Sequence, residues 1–346
     1  MAEKLNEREK SILHRIVYSY IQTAVPVGSR YISKKQDVGL SAATIRNVMS
    51  DLEDLGYINH PHTSAGRIPT DKGYRFYVNE LMELDNVSLD IQSAIKSQLQ
   101  NSTDTDEVLH IASKLLGTIS HQLSVVSAPN LTSGIFEKLE LLQISSTRLL
   151  VIISIQSGII KTIMMEIFSE IPRPKLEKIS QLLNERLSGL TLAQIRETFA
   201  ERLRDYSNEE TGLMRLFIDS VDKLFDEKRD KIHIGGTKNI ITQPEFENAK
   251  NFKGIIELLD NEDIIVHILE SVEKKNETTV AIGNETKHKN LKDYSIVTAN
   301  YTVGNLTGQV GVLGAKRMNY SKLIPLVDFV AKTITLMFQQ SSDSTR

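Results

Sequence analysis

The chain has 346 residues, of which 40% are hydrophobic and 25% charged, and its formal net charge at pH 7 is -3. A chain of this length can bury sizeable cores and exceeds one typical domain, so we expect two or three domains. It has no cysteine, which excludes disulfides and thiolate chemistry, and residues 1–10 lack the apolar core of a signal peptide. We therefore expect a protein of the reducing cytoplasm.

Charge is distributed unevenly along the chain. Residues 1–75 contain 11 Lys and Arg against 8 Asp and Glu, whereas the remainder contains 30 against 36. A basic N-terminal segment on an acidic body favours a polyanionic partner. An excess this small is also the ordinary composition of a solvated surface.

Two helices are predicted at the N-terminus. Asn6 can cap the first helix, Glu9 completes a capping box, and Pro26-Val27-Gly28 ends the apolar periodicity. Ser29 can cap a shorter second helix, which Asp37-Val38-Gly39 breaks. The side chains of the second helix that we assign to the interior are Tyr31 and Ile32, and those assigned to the surface are Lys34 and Lys35.

The stretch LSAATIRNVMSDLEDLGYI (residues 40–58) predicts a third helix with an unusual polar face. Ser41 can cap this helix, and Gly56 follows it as the left-handed residue that ends many helices. One face is apolar, whereas the other carries small and polar side chains instead of the Lys and Glu of a solvated helix. The members of the polar face are Ala43, Thr44, Arg46, Asn47 and Ser50.

Two helices joined by a tight glycine turn, with a third helix packed behind them, form a helix-turn-helix. The recognition helix of this motif enters the major groove with its N-terminal end leading. Arg46 suits guanine and Asn47 suits adenine, each through two hydrogen bonds, and Ser41 and Thr44 suit phosphate oxygens or a thymine methyl. An ordinary amphipathic helix in a structural helix pair is the alternative.

A β-hairpin is predicted within YINHPHTSAGRIPTDKGYRFYV (residues 57–78). Strand-like Tyr57-Ile58 is followed by a polar turn and by Gly66-Arg67-Ile68, and Thr70 can cap another helix. Such a hairpin is the wing of a winged helix, where Arg67 at the tip could enter the minor groove or clamp a phosphate. Further candidate contacts in the turn are His60, His62 and Thr63.

The remaining chain alternates between helical and strand-like patterns. The predicted segments are helices over 79–123 with a polar break at 101–103, an antiparallel meander over 135–167, amphipathic helices near 175–187, 191–205 and 210–229, strands within 279–315 and a helix from Ser321 to about Gln339. The apolar run at 149–168 has the length of a membrane span, but Gln156-Ser157-Gly158 interrupts it and favours two strands. This order predicts one α+β domain interrupted by an insertion.

No motif indicates catalysis. The glycines of VGNLTGQVGVLG (303–314) do not open a helix after a first strand, so we interpret them as turns, and GGTK (235–238) lacks P-loop spacing. The eight histidines form no ligand-spaced cluster. We therefore expect a protein without cofactor or metal that is not an enzyme.

Three N-terminal blocks, PVGSRYI, LSAATIRNVMSDLEDLGYI and PHTSAGRIPTDKGYRFYV, resemble signature blocks of HrcA, the bacterial heat-inducible transcription repressor family. AIGNE, YSIVTANYTVGNLTGQVGVLGAKRMNY and LIPLVDFVAKTIT resemble it near the other end, so the similarity spans nearly the whole chain. One departure is Ala315, where the family usually has Pro.

The resemblance implies a homodimer that binds an inverted-repeat DNA operator, the CIRCE element, and represses chaperone operons. It also implies the GroE chaperonin as a partner that helps to keep the repressor active. The implied domains are a winged helix (1–78), linker helices (79–104), a GAF-like α+β domain (105–170 and 231–346) and an inserted, mostly helical dimerising domain (171–230), whose start can also lie earlier, within the meander.

Carried over by position, the resemblance assigns DNA contacts to two elements. The assigned residues are Ser41, Thr44, Arg46 and Asn47 on the recognition helix and Arg67 on the wing, with Ser29, Arg30 and Lys34 as contacts to the DNA backbone. The alternative function is a metabolite-responsive transcription regulator, in which a pocket of the GAF-like domain binds a small molecule.

Overall fold

A computed structural model describes most of the chain as a mixed α+β protein. The described residues are 5–35, 39–61, 66–100, 102, 104–206, 212–225, 232–241, 243–244, 256–257, 259, 264–265, 269, 278–288 and 291–343. Within these ranges the helices and strands form an N-terminal unit, a five-stranded sheet with its helices, and a three-stranded sheet with its own helices.

The N-terminal unit contains four helices and a short hairpin. Its elements are α1 (Glu7–Thr23), α2 (Ser29–Lys35), α3 (Ala42–Asp54), β1 (Ile58–Asn59), β2 (Ile68–Pro69) and α4 (Asp71–Phe76), which continues into a π-helical turn (Tyr77–Leu81). Asn6 and Glu9 form the predicted capping box, and the hydroxyl of Thr70 accepts a hydrogen bond from Gly73 N at 3.1 Å as the cap of α4. The local signals that begin α1 and α4 are therefore confirmed.

Helix α2 differs from its prediction. The carbonyl of Gly28 accepts hydrogen bonds from the N–H groups of Tyr31 and Ile32, so Gly28 occupies the capping position and Ser29 is the first helical residue. Ile32 is fully buried, but Tyr31 is 38% exposed. Residues three apart share a helix face, so Ser29 and Ile32 face the core and Tyr31 lies about 100° away from Ile32.

Two further helices connect the N-terminal unit to the first sheet. These helices are α5 (Leu89–Leu99) and α6 (Thr105–Ser120), and β3 (Leu123–Ser127) follows. Ile95 and Leu99 of α5 are fully buried in the same hydrophobic cluster as the apolar face of α6. Helix α5 is therefore packed onto the body of the protein and is not a free connection.

Residues 136–225 form a separate hydrophobic cluster. The strands are β4 (Phe136–Ser145), β5 (Arg148–Ile155) and β6 (Ile160–Glu166), and the helices are α7 (Arg173–Leu187), α8 (Leu192–Arg202), α9 (Leu213–Asp219) and α10 (Val221–Phe225). The predicted meander is confirmed. No helix in the described part of the chain is long and apolar enough to cross a bilayer.

The outer edge of the meander is covered by α7. The side chain of Asn184 on α7 pairs with both the N–H and the carbonyl of Leu139 in β4. The meander thus packs with the helices that follow it.

The five-stranded sheet is antiparallel throughout and has the order β7-β3-β10-β9-β8. Its remaining strands are β7 (Ile232–Gly235), β8 (Thr279–Ile282), β9 (Tyr294–Val303) and β10 (Leu306–Ala315), with helix α11 (Thr237–Ile241), a 3-10 turn (Gly283–Thr286) and the long C-terminal helix α12 (Tyr320–Asp343). Helices α6 and α12 pack against this sheet and against each other.

Three glycines that the sequence assigns to turns lie inside strand β10, so that prediction is wrong for Gly308, Gly311 and Gly314. Gly308 pairs with Tyr301, and a Cβ at Gly308 would lie 2.2 Å from the Tyr301 ring. The ring crosses the sheet there and donates a hydrogen bond from its hydroxyl to the carbonyl of Ser127 at 2.5 Å. These glycines therefore provide close approach and not a change of chain direction.

Two ion pairs of opposite polarity join α4 to the five-stranded unit; we call this group the α4 latch. Asp71 accepts from Lys316 Nζ at 2.7 Å and from the backbone and side-chain nitrogens of Asn284 at 3.1 and 3.0 Å. Arg75 pairs with Glu285 and donates to the Val280 carbonyl at 2.6 Å. A Cβ at position 283, where the glycine has φ +53°, would lie 2.4 Å from the Asp71 carboxylate, so the turn must be glycine here.

Candidate nucleic-acid interface

Helix α3 is defined at both ends by the residues that the sequence indicates. The Ser41 hydroxyl accepts a hydrogen bond from the backbone N–H of Thr44 at 3.1 Å, and the two hydroxyls lie 2.9 Å apart. At the other end Gly56 has φ +77°, and the N–H of Tyr57 donates to the carbonyl of Leu52 at 2.9 Å. This is a Schellman motif, which satisfies the last carbonyls of the helix and turns the chain into β1.

The two faces of α3 are divided as predicted. The buried residues are Ile45, Val48, Met49 and Leu52, and the exposed residues opposite them are Ala43, Arg46, Asn47 and Ser50. Arg46 and Asn47 have no intramolecular hydrogen bond or ion pair within the described residues, so a base edge would not have to displace one. These two side chains have the donor and acceptor patterns that read guanine and adenine.

Helix α2, which packs against α3, carries two exposed cations. Arg30 and Lys34 are exposed and are four residues apart, which places both side chains on the same side of α2. The side chain of Ser29 is only 8% exposed, because Ser29 shares the buried face of α2. Of the three residues predicted to contact the DNA backbone, Arg30 and Lys34 are thus accessible, whereas Ser29 is packed in the interior.

The hairpin pairs over two residues on each strand, Ile58 with Pro69 and Asn59 with Ile68. The predicted contacts His62 and Thr63 lie outside the described residues. Arg67 is not at an exposed tip: its backbone exchanges two hydrogen bonds with Val27, at 2.8 and 2.9 Å, and its side chain is 28% exposed. Arg67 therefore joins the hairpin to the turn between α1 and α2.

The Arg67 side chain pairs with Glu53 of α3, which is not among the contacts predicted from the sequence. Glu53 Oε2 lies 2.7 Å from Arg67 Nη2, and Glu53 Oε1 contacts Nδ1 of His60. Burial tends to raise the pKa of Glu53, but the hydrogen bond from His60 and the charge of Arg67 outweigh it, so the pKa is lowered. The sequence contains one indication that Glu53 is not fully solvated. Glu53 follows Met49 by four residues, so it lies about 40° around the helix from a buried side chain.

The comparisons with known proteins agree with the resemblance in the sequence. The family model described as HrcA protein C terminal domain matches residues 106–324. The heat-inducible transcription repressor HrcA of Prosthecochloris aestuarii is 42% identical over 347 residues, covering 96% of this chain and 98% of that protein. The protein of the same description from Chlorobium phaeobacteroides is 40% identical over 348 residues, covering 97% and 99%.

Among solved structures, the crystal structure of a hypothetical protein is similar, with a TM-score of 0.62 and 25% identity over 98% of this chain and all of that chain. The match to the family model covers well over half of the chain, and the match to the relatives covers nearly all of it. The chain therefore belongs to the HrcA family, a family of heat-inducible transcription repressors and not of enzymes.

Proposed function

We propose that this protein represses heat-shock genes by binding, as a homodimer, an inverted-repeat operator of the CIRCE type. The observation that carries the proposal is the outer face of α3, where exposed Arg46 and Asn47 lie next to a capped N-terminus. The side chains of Ala43 and Ser50 on that face are small, so the helix can approach the floor of the major groove closely. The direct reading of bases then follows from ordinary donor and acceptor matching.

The proposed architecture follows the family resemblance, with one shifted boundary. The N-terminal unit is proposed as the winged helix, with the β1–β2 hairpin as its wing. The five-stranded sheet with α6 and α12 is proposed as the GAF-like domain. The inserted domain is proposed as residues 136–225 and not only 171–230, because β4, β5 and β6 share a core with α7 and α8.

Roles are proposed for the contact residues according to their chemistry. Arg46 and Asn47 read base edges, whereas Ser41 and Thr44 lie where phosphate oxygens or a thymine methyl would meet the start of α3. The exposed cations of α2, Arg30 and Lys34, bind the DNA backbone. The buried Ser29 is proposed to pack the start of α2 instead of touching DNA.

Replacing Arg46 or Asn47 by alanine is expected to weaken operator binding by roughly 1–3 kcal/mol per half-site and to relax base preference at one position. The measurement is a binding titration against single-base operator variants. Arg8→Ala, which removes an exposed arginine from the start of α1, is the matched control. An unchanged ranking of the operator variants by Arg46→Ala would remove its base-reading role.

Lys34→Ala is expected to behave differently from Arg46→Ala. It should weaken binding to all sequences about equally and reduce the slope of log affinity against log salt by about one unit per lost phosphate contact. Titrations between low and moderate salt measure this slope. Loss of discrimination among operator variants in Lys34→Ala would contradict the division of roles.

Ser41 has a structural role and a proposed binding role that mutation can separate. Ser41→Ala removes the cap of α3 and should lower the free energy of unfolding by about 1 kcal/mol. Ser41→Asp keeps a capping acceptor but places a negative charge next to the DNA backbone, so it should stay stable and bind DNA poorly. Thermal unfolding and operator titration of both variants check this, and equal binding by Ser41→Asp and wild type would exclude a contact there.

The dimer is proposed to form through the outer face of the three-stranded sheet. Leu142, Leu150 and Met164 lie opposite one another across β4, β5 and β6, and Leu142 and Met164 are 53% and 45% exposed. Ile160, 62% exposed, lies on the same face of β6, beyond the exposed Thr162. A row of exposed apolar side chains across three strands is typical of an interface. A second copy is the occupant that an inverted repeat requires, because its two half-sites need two winged helices related by a twofold axis.

Heat is proposed to release the operator by loosening the dimer or the packing between units, while each winged helix stays folded. The separation of the two recognition helices must match that of the half-sites, so a change in spacing is enough to lose affinity. The predicted break at 101–103 lies between α5 and α6, and its residues 101 and 103 are outside the described part of the chain. The GroE chaperonin is proposed as a partner on the family resemblance alone.

A metabolite-responsive regulator is the second candidate function. A cleft of about 510 Å³ lies between residues 85–91, the end of α6 and the start of α12, and its wall is largely apolar. Val87, Ile91 and Leu323 line it, with the amine of Lys322 at its rim. Selective, dose-dependent thermal stabilisation by one member of a metabolite panel, together with a change in operator affinity, would favour this function over the ligand-free one.

A further inference from the structure

One carboxylate ties both arms of the hairpin to the helix that we propose reads DNA. His60 precedes the turn of the hairpin and Arg67 follows it, and each contacts a different oxygen of Glu53. An ionised carboxylate only accepts hydrogen bonds, and the lowered pKa of Glu53 keeps it ionised at neutral pH. His60 therefore donates through Nδ1, and Arg67 Nη2 forms an ion pair with the other oxygen at 2.7 Å.

The hairpin needs such a tie because its own pairing is minimal. Each strand contributes two residues, and Pro69 of β2 has no N–H to donate. An isolated two-stranded hairpin is at best marginally stable in water, so its orientation must come from contacts outside the hairpin. The buried side chain of Ile58 supplies one such contact, and Val27 supplies a second through the backbone of Arg67. Glu53 supplies a further contact, through side chains, on the side of α3.

The surroundings of Arg67 also argue against a role as a mobile phosphate clamp. Its side chain is 28% exposed and forms an ion pair with Glu53 at 2.7 Å. Reaching a phosphate would break the ion pair and leave Glu53, 22% exposed, with one partner fewer. A phosphate contact by Arg67 would therefore have to compete with an ion pair that is already formed.

We propose that Glu53 is a positioning residue for DNA binding, which fixes the hairpin against α3, and that Arg67 is its counter-ion and not a phosphate contact. This inference rests on the proposed function, in which α3 reads the operator and the hairpin reaches the flanking groove. The carboxylate pre-orders the hairpin, so DNA binding does not have to supply that ordering. Glu53 therefore acts through His60 and Arg67 of the hairpin without touching DNA itself.

The test uses the full-length protein and the variants Glu53→Gln, Arg67→Ala and the double variant. Each is expected to lower operator affinity by roughly three- to tenfold, and the double variant should be no worse than either single one, because all three break the same tie. The slope of log affinity against log salt should stay unchanged. Hydroxyl-radical footprints should lose protection where the hairpin lies and keep it where α3 lies, while the melting temperature of Glu53→Gln stays close to wild type.

Arg67→Lys keeps the charge and should restore most of the hairpin protection, which a purely structural loss would not predict. The inference is overturned if Arg67→Ala lowers the salt slope by about one unit per half-site, or if Glu53→Gln tightens binding by releasing the arginine. Additive losses in the double variant would overturn it too. Arg46→Ala in the same assay distinguishes failure of the proposed function from failure of the inference about Glu53. If Arg46→Ala leaves the base preference unchanged, the proposed function fails. If Arg46→Ala relaxes the base preference as expected, only the role of Glu53 is wrong.

Discussion

Replacing Met164 by glutamate is expected to convert the proposed dimer into a monomer and to weaken operator binding by about two orders of magnitude or more. Met164 is 45% exposed on β6 and pairs with Leu150 in the middle strand, so a carboxylate there would be buried without a partner at the interface. In the proposed dimer the two half-sites are bound by linked modules. Loss of the dimer then removes the avidity of the second module, which is typically worth about 10²–10⁴-fold. Sedimentation and operator titration measure the two effects.

The matched control for Met164→Glu is Leu89→Glu. Leu89 is 77% exposed at the first turn of α5, where an acidic side chain is favourable, so the variant adds the same group outside the insertion. It should remain dimeric and bind the operator normally. A Met164→Glu protein that is folded and still dimeric would show that the dimer forms elsewhere, and retained operator affinity in a monomer would contradict the twofold mechanism itself.

Replacing Asp71 by alanine is expected to open the α4 latch. The carboxylate accepts three hydrogen bonds, from Lys316 and from two nitrogens of Asn284, and its loss leaves the Lys316 ammonium, 28% exposed, without its ion-pair partner. Because both groups remain partly solvated, we expect a loss of roughly 1–3 kcal/mol and not the full cost of a buried charge. The N-terminal unit should then melt before the rest of the chain, and operator affinity should fall because the orientation of α3 is no longer fixed.

Calorimetry of the full-length protein measures this effect, with Asp90→Ala as the control that removes an exposed acid from α5. Surface changes of that kind usually alter stability by no more than about 0.5 kcal/mol. An Arg75→Ala and Glu285→Ala cycle tests the second ion pair independently, with an expected coupling of roughly 0.5–3 kcal/mol. A single transition at the wild-type temperature in Asp71→Ala would show that the apolar core alone fixes the N-terminal unit.

The sequence predicts those parts of the structure whose cause lies within a few residues. The capping box at Asn6, the cap at Ser41, the left-handed Gly56 and the exposure of Arg46 and Asn47 all follow from spacing along one helix. These features depend on local hydrogen bonds and on helical periodicity, which a single sequence contains in full.

The features that the sequence does not predict depend on partners far apart in the chain. The glycines of β10 have the spacing of turn residues in the sequence. Their function becomes apparent only in the fold, where the ring of Tyr301 in the neighbouring strand lies over Gly308. Glu53 pairs with Arg67, which the hairpin brings to α3, and Asp71 pairs with Lys316 of the five-stranded unit. Neither pair can be recognised from the residues that surround the carboxylate in the sequence. The family resemblance names such units, but it does not place their contacts.

The first unit and the five-stranded unit share one hydrophobic cluster, which runs from α1 through Tyr74 to α12. Tyr74 is 2% exposed, and its ring centroid lies 6.3 Å from that of Tyr320. A fragment that stopped after residue 81 would expose this apolar seam to water. The proposed winged helix therefore cannot be transferred alone to another protein. A chimera must also carry α12, or replace the apolar residues of this contact with polar ones.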